Sequence, residues 1–224
     1  MIDIKQICKD FYQNLLYLYD RLTYPIGVKT INNHKVSIRP EGFFFTDYPF
    51  KPASIYPSGL VSYSHIKEIV ICNFPPEIRT KREEILFITG IKDEELKKVA
   101  LENNIILVLR VDVWSYILEP FLDTEFTEEQ QEKTLQTLEE NNISRQECKK
   151  LRDFVEQAMT AYNFTSGLWE WVHLGLFDLL LAFTGFLSGH RHKLSDEKFK
   201  EFYHQAMEIA NRGKLINNVN HINN

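Results

Sequence analysis

Cysteine is scarce in this sequence and offers no redox or metal-binding motif. The 224 residues contain three cysteines, Cys8, Cys72 and Cys148, and no two of them form a Cys-x-x-Cys pair. Neither a zinc knuckle nor a thioredoxin-type pair can therefore be built from them. Because thiols stay reduced in the cytosol, we expect free, buried cysteines and a cytoplasmic protein.

A glycine-rich phosphate-binding loop is also missing. The turn between a predicted strand and a predicted helix, Thr89-Gly90-Ile91-Lys92, contains a single glycine. A loop of the G-x-G-x-x-G or Walker type needs several glycines, since its backbone has to approach the phosphates closely. We therefore expect no nucleotide site at this turn, and no cofactor.

Positive charge is not in excess. The formal net charge is -5, whereas non-specific binding of nucleic acid requires a basic surface. A basic cluster at residues 79–82 is followed directly by Glu83 and Glu84, and we interpret it as the solvated end of a strand. The charge balance thus argues against a nucleic-acid partner.

Long uncharged hydrophobic runs are absent as well. Residues 168–188 are long enough to span a bilayer, but they include Glu170, His173 and Asp178, and charges are costly at membrane depth. The first 20 residues carry acidic side chains and lack the uncharged core of a signal peptide. We expect no membrane partner, and we interpret residues 168–188 as a helix buried in a protein core.

The N-terminal segment carries a regular apolar stripe. Its apolar residues recur in steps of four and three, which predicts a helix over residues 1–24. The stripe consists of Ile4, Cys8, Phe11, Leu15, Leu18 and Leu22. Pro25 and Gly27 end the helix. We favour packing of this helix on the rest of the protein, and the alternative is a protein partner or self-association through the stripe.

The pattern of residues 25–112 is that of an α/β domain. Short β-branched and aromatic runs, separated by proline, glycine and asparagine, predict a mixed β-sheet. One βαβ-like unit is predicted from a strand at 84–89, a helix at 93–103 and a strand at 105–111. Together with the N-terminal helix and the helical half described next, this gives an α+β fold.

The C-terminal half is predicted to be an all-helical bundle domain, residues 113–213. Capping boxes begin two of its helices, because Thr127 precedes Gln130 and Ser144 precedes Glu147 by three residues. About four helices are expected: 128–141, 145–162, 167–188, and a last one from Ser195 to Arg212, before Gly213. The asparagine-rich residues 214–224 are predicted to be a disordered tail.

Two Glu-x-x-His motifs, Glu170 to His173 and Glu201 to His204, resemble the ligand spacing of dinuclear metal sites in helical bundles. In a hairpin of the last two helices, Glu170 would lie ~27 Å and Glu201 ~9 Å from the connecting turn. The two motifs would then sit at different depths and could not share a site, unless the earlier helix breaks at Gly175 or Gly185. We therefore expect no dinuclear centre.

A local cluster on the last helix is the better candidate for a single metal ion. Its spacing of four, three and four residues places the side chains on one helix face. The cluster comprises Glu197, Glu201, His204 and Glu208, with His190 and His192 in the preceding loop. Several carboxylates in a row are more typical of a solvated face, which is the interpretation that we favour.

Asp178 is predicted to be a buried carboxylate. On the predicted helix it shares a stripe with small residues, which let another backbone approach closely. A carboxylate at such a position is buried and needs a partner or a raised pKa. Its charge has to be met by arginine, lysine, histidine or several hydrogen-bond donors, and Arg145 and Arg152 on the preceding helix are the nearest candidates in the sequence. Both a structural ion pair and a role in a binding pocket fit this placement.

The sequence as a whole favours a non-catalytic binding or regulatory module. No complete catalytic or cofactor motif can be assembled from its residues, and a Ser-His-Asp arrangement would require contacts that spacing does not supply. The alternative is a metal-dependent enzyme that uses glutamate, histidine and aspartate residues of the C-terminal helices.

Overall fold

The computed structural model describes residues 34–122, 127–166 and 173–218, which all belong to one compact unit, Asn33–Asn224. The fold is mixed α+β, with two sheets and with most helices in the C-terminal half. The predicted N-terminal helix, residues 1–24, lies outside the described residues.

The first sheet is an antiparallel meander of three strands. Its strands are β1 Lys35–Arg39, β2 Gly42–Thr46 and β3 Gly59–Ser62. Gly42 is required where β2 meets β3, since a Cβ atom there would lie 2.1 Å from the carbonyl oxygen of Val61. Phe43 and Phe45 alternate with the half-buried Phe44 and Thr46 along β2 and are fully buried.

The second sheet has the strand order β6-β5-β4-β7-β8. Its strands are β4 Ile66–Val70, β5 Glu77–Thr80, β6 Ile85–Phe87, β7 Ile106–Arg110 and β8 Leu215–Asn218. β4 and β7 are parallel neighbours, and the other pairs are antiparallel. Helix α1, Asp93–Glu102, joins β6 to β7 as the predicted βαβ-like unit requires, but β5 and β4 lie between these two strands.

Two sequence-based assignments are corrected by this sheet. Arg79 and Thr80, interpreted as a solvated strand end, belong to β5 and are only 3% and 7% exposed. Arg79 is buried because Glu77 and the end of the last helix supply its partners. The start of the predicted tail is also ordered, since Leu215–Asn218 form β8 on the edge of the sheet.

The remaining helices follow the second sheet in the chain. They are α2 Val113–Leu118, α3 Glu128–Glu140, α4 Arg145–Ser166, α5 Leu176–Phe183 and α6 Asp196–Asn211. The predicted caps are present: the backbone N–H groups of Gln130, Glu147 and Lys198 donate to the hydroxyls of Thr127, Ser144 and Ser195, respectively.

The predicted continuous helix over residues 167–188 is interrupted. Residues 173–175 are not helical, α5 spans only eight residues, and Gly185 follows with a φ of 86°. The Asp178 carboxylate accepts a hydrogen bond from the backbone N–H of Gly175. This bond begins the helix at Leu176, because a side-chain acceptor replaces a carbonyl of a preceding turn.

An aromatic core joins the sheets to the helices. Phe50, from the proline-rich loop after β2, contacts Phe87 on β6, Phe177 on α5, and Phe199 and Tyr203 on α6. The division of the chain into an α/β domain and a separate helical domain stays a prediction. No helix in the described part of the chain is both long enough and apolar enough to cross a membrane.

Candidate functional site

Polar residues gather where the parallel strands β4 and β7 end. The carboxyl ends of parallel neighbours lie at the same edge of a sheet, which is where ligands of open α/β sheets commonly bind. Asn73 follows β4, Glu77 begins β5, and Asp112 follows β7. These residues, with His173 and Asp178 from the segment that begins α5, form what we call the polar cluster.

Asp112 has a structural role within the polar cluster. One carboxylate oxygen, Oδ1, accepts hydrogen bonds of 3.1 Å from the backbone N–H groups of Trp114 and Ser115, and so caps α2. The other oxygen, Oδ2, lies 3.3 Å from Nε2 of His173. Both carboxylate oxygens of Asp112 therefore have a partner.

His173 is the histidine of the polar cluster, and its side chain is 13% exposed. Its Nε2 is buried and lies at ion-pair distance from Asp112, but this contact lacks the alignment of a hydrogen bond, and no other described group bonds to the atom. Burial lowers the pKa of His173, while the carboxylates of Asp112, Asp178 and Glu77 raise it more, so that the net pKa is raised. The neighbouring carboxylates thus favour the protonated form of the ring.

Asp178 is 5% exposed and is held by two donors. The hydroxyl of Tyr162 on α4 donates to Oδ1, and the backbone N–H of Gly175 donates to Oδ2, both at 3.0 Å. Burial raises the pKa of Asp178. The Gly175 N–H, the charge of His173 and the Tyr162 hydroxyl each lower this pKa, but the net shift is upward. The carboxylate is therefore satisfied mainly by neutral donors.

The predicted arginine partners of Asp178 are wrong. Arg145 pairs with Glu132 and Glu139, and Arg152 donates to backbone carbonyls in α2. Asp178 contacts α4 at Tyr162, which lies 10 residues, or ~15 Å along the helix axis, beyond Arg152. Neither guanidinium can reach the carboxylate over that distance.

A second ion pair lies beside the polar cluster. Arg79 Nη2 lies 3.2 Å from Oε2 of Glu77, and both side chains are almost completely buried. Arg79 also donates to the side chain of Asn211 and to the carbonyl of Ala210, at the end of α6. Burial raises the pKa of Glu77, and the charge of Arg79 lowers it by less, so that the net pKa is raised. The pair therefore connects β5 to α6.

The backbone of Gly175 packs directly against the polar cluster. A Cβ atom at Gly175 would lie 3.1 Å from Nε2 of His173 and 3.3 Å from Oδ2 of Asp112. Only a residue without a side chain lets the backbone pass this close without displacing the two groups. The polar cluster is thus packed against the backbone, and its geometry is that of a structural network.

The described thiols are not poised for nucleophilic chemistry. Cys72 Sγ accepts a hydrogen bond from the backbone N–H of Arg110 and donates to its carbonyl, and burial raises the pKa of the Cys72 thiol to about 12. Cys148 is buried, and its pKa is raised by that burial. Both thiols are protonated at neutral pH, whereas the thiolate is the nucleophile. Cys8 lies outside the described residues.

The metal candidates on α6 point into solvent. This set consists of Glu197, Glu201, His204 and Glu208, and all four side chains are exposed. Glu208 lies 3.6 Å from Arg212, and Nε2 of His192 accepts a hydrogen bond from Arg191. Across residues 34–122, 127–166 and 173–218, no group of three histidine, cysteine or acidic side chains could hold a metal ion.

The expected difference in depth between the two Glu-x-x-His motifs does not apply, because His173 precedes α5, which begins at Leu176. His173 is largely buried beside Asp112, whereas His204 is exposed on α6. Glu170 lies outside the described residues. The two histidines therefore occupy different environments, one internal and one at the surface.

An open groove lies between α4 and the loop that follows α5. Its volume is about 690 Å³. It is lined by Glu156, Gln157, Thr160, Ala161, Phe164, Thr165, Ser188, Arg191 and His192. We call it the α4 groove. Two aromatic side chains of α4 are well exposed, Phe154 at 54% and Phe164 at 70%.

No motif in the sequence predicted the α4 groove. One face of α4 is buried, and it consists of Cys148, Leu151, Val155, Ala158 and Tyr162. A second set, Phe154, Gln157, Ala161 and Phe164, recurs in steps of three, four and three, and so shares another face of the helix. This second periodicity was the signal that could have located the groove.

The described residues thus offer two candidate regions of opposite character. The polar cluster is internal and its carboxylates have partners, whereas the α4 groove is open and lined in part by the exposed ring of Phe164. Comparisons of this chain with protein-family models, with curated proteins and with solved structures found no match.

Proposed function

We propose that this protein is a non-catalytic binding module that holds an apolar peptide segment of a protein partner in the α4 groove. The observation that carries the proposal is the 70% exposure of Phe164, which lines that groove. Aromatic side chains exposed beside a concave surface are typical of interaction sites, because burying them on binding removes apolar area from water.

The chemistry of the α4 groove suits a segment with an apolar anchor and an acidic neighbour. Small side chains, Thr160 and Ala161 on α4 and Ser188 on the loop, leave room for the anchor beside Phe164. Arg191 donates its Nε–H to His192, and its terminal NH2 groups form no hydrogen bond with any described residue. A carboxylate of the partner can therefore meet the guanidinium in a bidentate contact.

The polar cluster supports a structural rather than a catalytic role. Asp112 caps a helix, Asp178 holds the start of α5, and Glu77 pairs with Arg79. The free thiols of Cys72 and Cys148 fit a cytoplasmic location, which is part of the proposal, and the net charge of -5 fits a partner other than nucleic acid.

A displayed library of random peptides tests the proposal. After selection on the wild-type protein, the affinity of each enriched peptide is measured for Phe164→Ser, Arg191→Glu and the control Leu101→Ser. Leu101 is 79% exposed on α1, so the control removes a comparably exposed apolar side chain outside the groove. We expect at least a tenfold weaker affinity for Phe164→Ser, equivalent to ~1.4 kcal/mol, and no change for Leu101→Ser.

The same experiment tests the proposed contact between Arg191 and a carboxylate of the peptide. Enriched peptides should share an acidic residue next to an apolar one, and Arg191→Glu should weaken them because like charges then face each other. Peptides that bind all three variants as well as the wild type would show that the α4 groove is not the binding site.

A further inference from the structure

Strand β8 forms one edge of the five-stranded sheet. Within the described residues it pairs with β7 alone. The backbone N–H and C=O groups on the outer side of an edge strand have no partner in the sheet and can pair with another strand. β8 thus presents a possible pairing surface that is distinct from the α4 groove.

Specific contacts hold the start of β8 in place. Arg110 Nη1 donates to the carbonyl of Gly213 at 2.8 Å. Lys214 is bound at both backbone groups: its carbonyl accepts from the N–H of Val111 at 3.0 Å, and its N–H donates to Oδ1 of Asn141 at 2.7 Å. A Cβ atom at Gly213 would lie 2.1 Å from the carbonyl oxygen of Val111. The strand is therefore preorganised at the sheet edge.

The sequence of β8 lacks charge and proline, two of the usual protections of an exposed edge. Proteins commonly guard edge strands with charged residues, proline or strong bulges. Leu215–Asn218 reads Leu-Ile-Asn-Asn, and its pairing with β7 has one register shift, between Leu109 and Arg110. Leu215 is 52% exposed and Ile216 is 46% exposed, so apolar side chains lie along an edge that pairs with no second strand among the described residues.

We propose that β8 pairs with β8 of a second copy of this chain, antiparallel across a two-fold axis, so that two five-stranded sheets become continuous. A two-fold interface requires a surface that is complementary to itself. An uncharged strand satisfies this requirement, because no like charges meet. Pairing centred on Ile216 places Lys214 opposite Asn218 of the second copy, and the two lysines lie at opposite ends of the paired strands.

The length of the strand sets the strength expected of this dimer. Four residues on each side supply few hydrogen bonds and a small buried area, and interfaces of this size belong to weak, reversible association. The dimer should therefore form in a concentration-dependent way, and it should be populated only at high protein concentration.

Sedimentation equilibrium of the full chain, from micromolar to near-millimolar concentration, tests the proposal. We expect a monomer–dimer equilibrium in the wild type and at least a tenfold weaker association in Ile216→Lys, which places a charge on the edge. Leu60→Lys is the matched control, because Leu60 is 42% exposed on β3 of the other sheet. This control should associate like the wild type.

Hydrogen exchange locates the contact independently of any variant. The backbone N–H groups of residues 215–218 should exchange more slowly at high than at low concentration, while those of β3 should not change. A wild type that is monomeric throughout, or a dimer that Ile216→Lys leaves intact, would overturn the proposal. An equal loss of association in Leu60→Lys would also overturn it, since the effect would then be one of net charge.

Discussion

The hydroxyl of Tyr162 donates a 3.0 Å hydrogen bond to the carboxylate of Asp178, and so joins the last turns of α4 to the first turn of α5. Asp178 also accepts from the N–H of Gly175, which begins α5. One buried carboxylate therefore positions both a helix start and a helix–helix contact.

Replacement of Asp178 tests whether the carboxylate stabilises the fold. In Asp178→Ala the buried Tyr162 hydroxyl and the Gly175 N–H both lose their acceptor, and we expect a loss of ~3 kcal/mol in the free energy of unfolding. Asp178→Asn keeps one acceptor oxygen and should lose less. Urea unfolding measures both values. Wild-type stability in Asp178→Ala would contradict the structural role and return Asp178 to the candidates for ligand binding.

Removal of the Tyr162 hydroxyl tests the other side of the same bond. Tyr162→Phe leaves Asp178 with one donor fewer in a buried site, and we expect a loss of ~1.5–3 kcal/mol in the free energy of unfolding. Tyr63→Phe is the matched control, because the Tyr63 hydroxyl donates to the carbonyl of Arg39 at an exposed position. The control should change stability by less than ~0.5 kcal/mol. Equal effects of the two substitutions in urea unfolding would refute the prediction.

The raised pKa of His173 predicts a pH dependence of stability. Because this pKa is raised in the folded chain, the protonated ring stabilises the fold fully below pH ~6.5, and the stabilisation is lost as the pH rises through the folded pKa. The raised pKa values of Asp178 and Glu77 act in the same direction, since the fold loses stability as the pH rises from about 4.

His173→Gln separates the histidine from the two acids. We expect the free energy of unfolding of the wild type to fall more steeply above pH ~6.5 than that of His173→Gln. His204→Gln is the control, because His204 is exposed on α6, and it should keep the wild-type pH profile. Urea unfolding at a series of pH values gives the three curves. Parallel curves for the wild type and His173→Gln would show that His173 does not carry the effect.

A metal prediction follows from the exposed face of α6. We expect purified protein to carry no stoichiometric iron, manganese or zinc, because the candidate ligands, including Glu201 and His204, point into solvent. Elemental analysis of the full chain measures the content directly. One or more ions per chain that disappear in His204→Ala would support the metal-dependent alternative instead.

The sequence by itself determined the features that depend on neighbouring residues. Helix starts at Thr127, Ser144 and Ser195 were predictable because a cap bonds to an N–H only three residues away. The α+β class follows likewise from local periodicity. These signals act within a few residues, so they can be read along the chain.

Only the tertiary structure decided which distant surfaces meet. The parallel pairing of β4 with β7, the burial of Arg79 against Glu77 and the end of α6, and the edge position of β8 each depend on contacts between segments far apart in sequence. Asp112 and His173 are 61 residues apart and lie 3.3 Å from each other. Such contacts are selected by the shape, burial and charge of complete folded surfaces, which the spacing of residues along a chain does not contain.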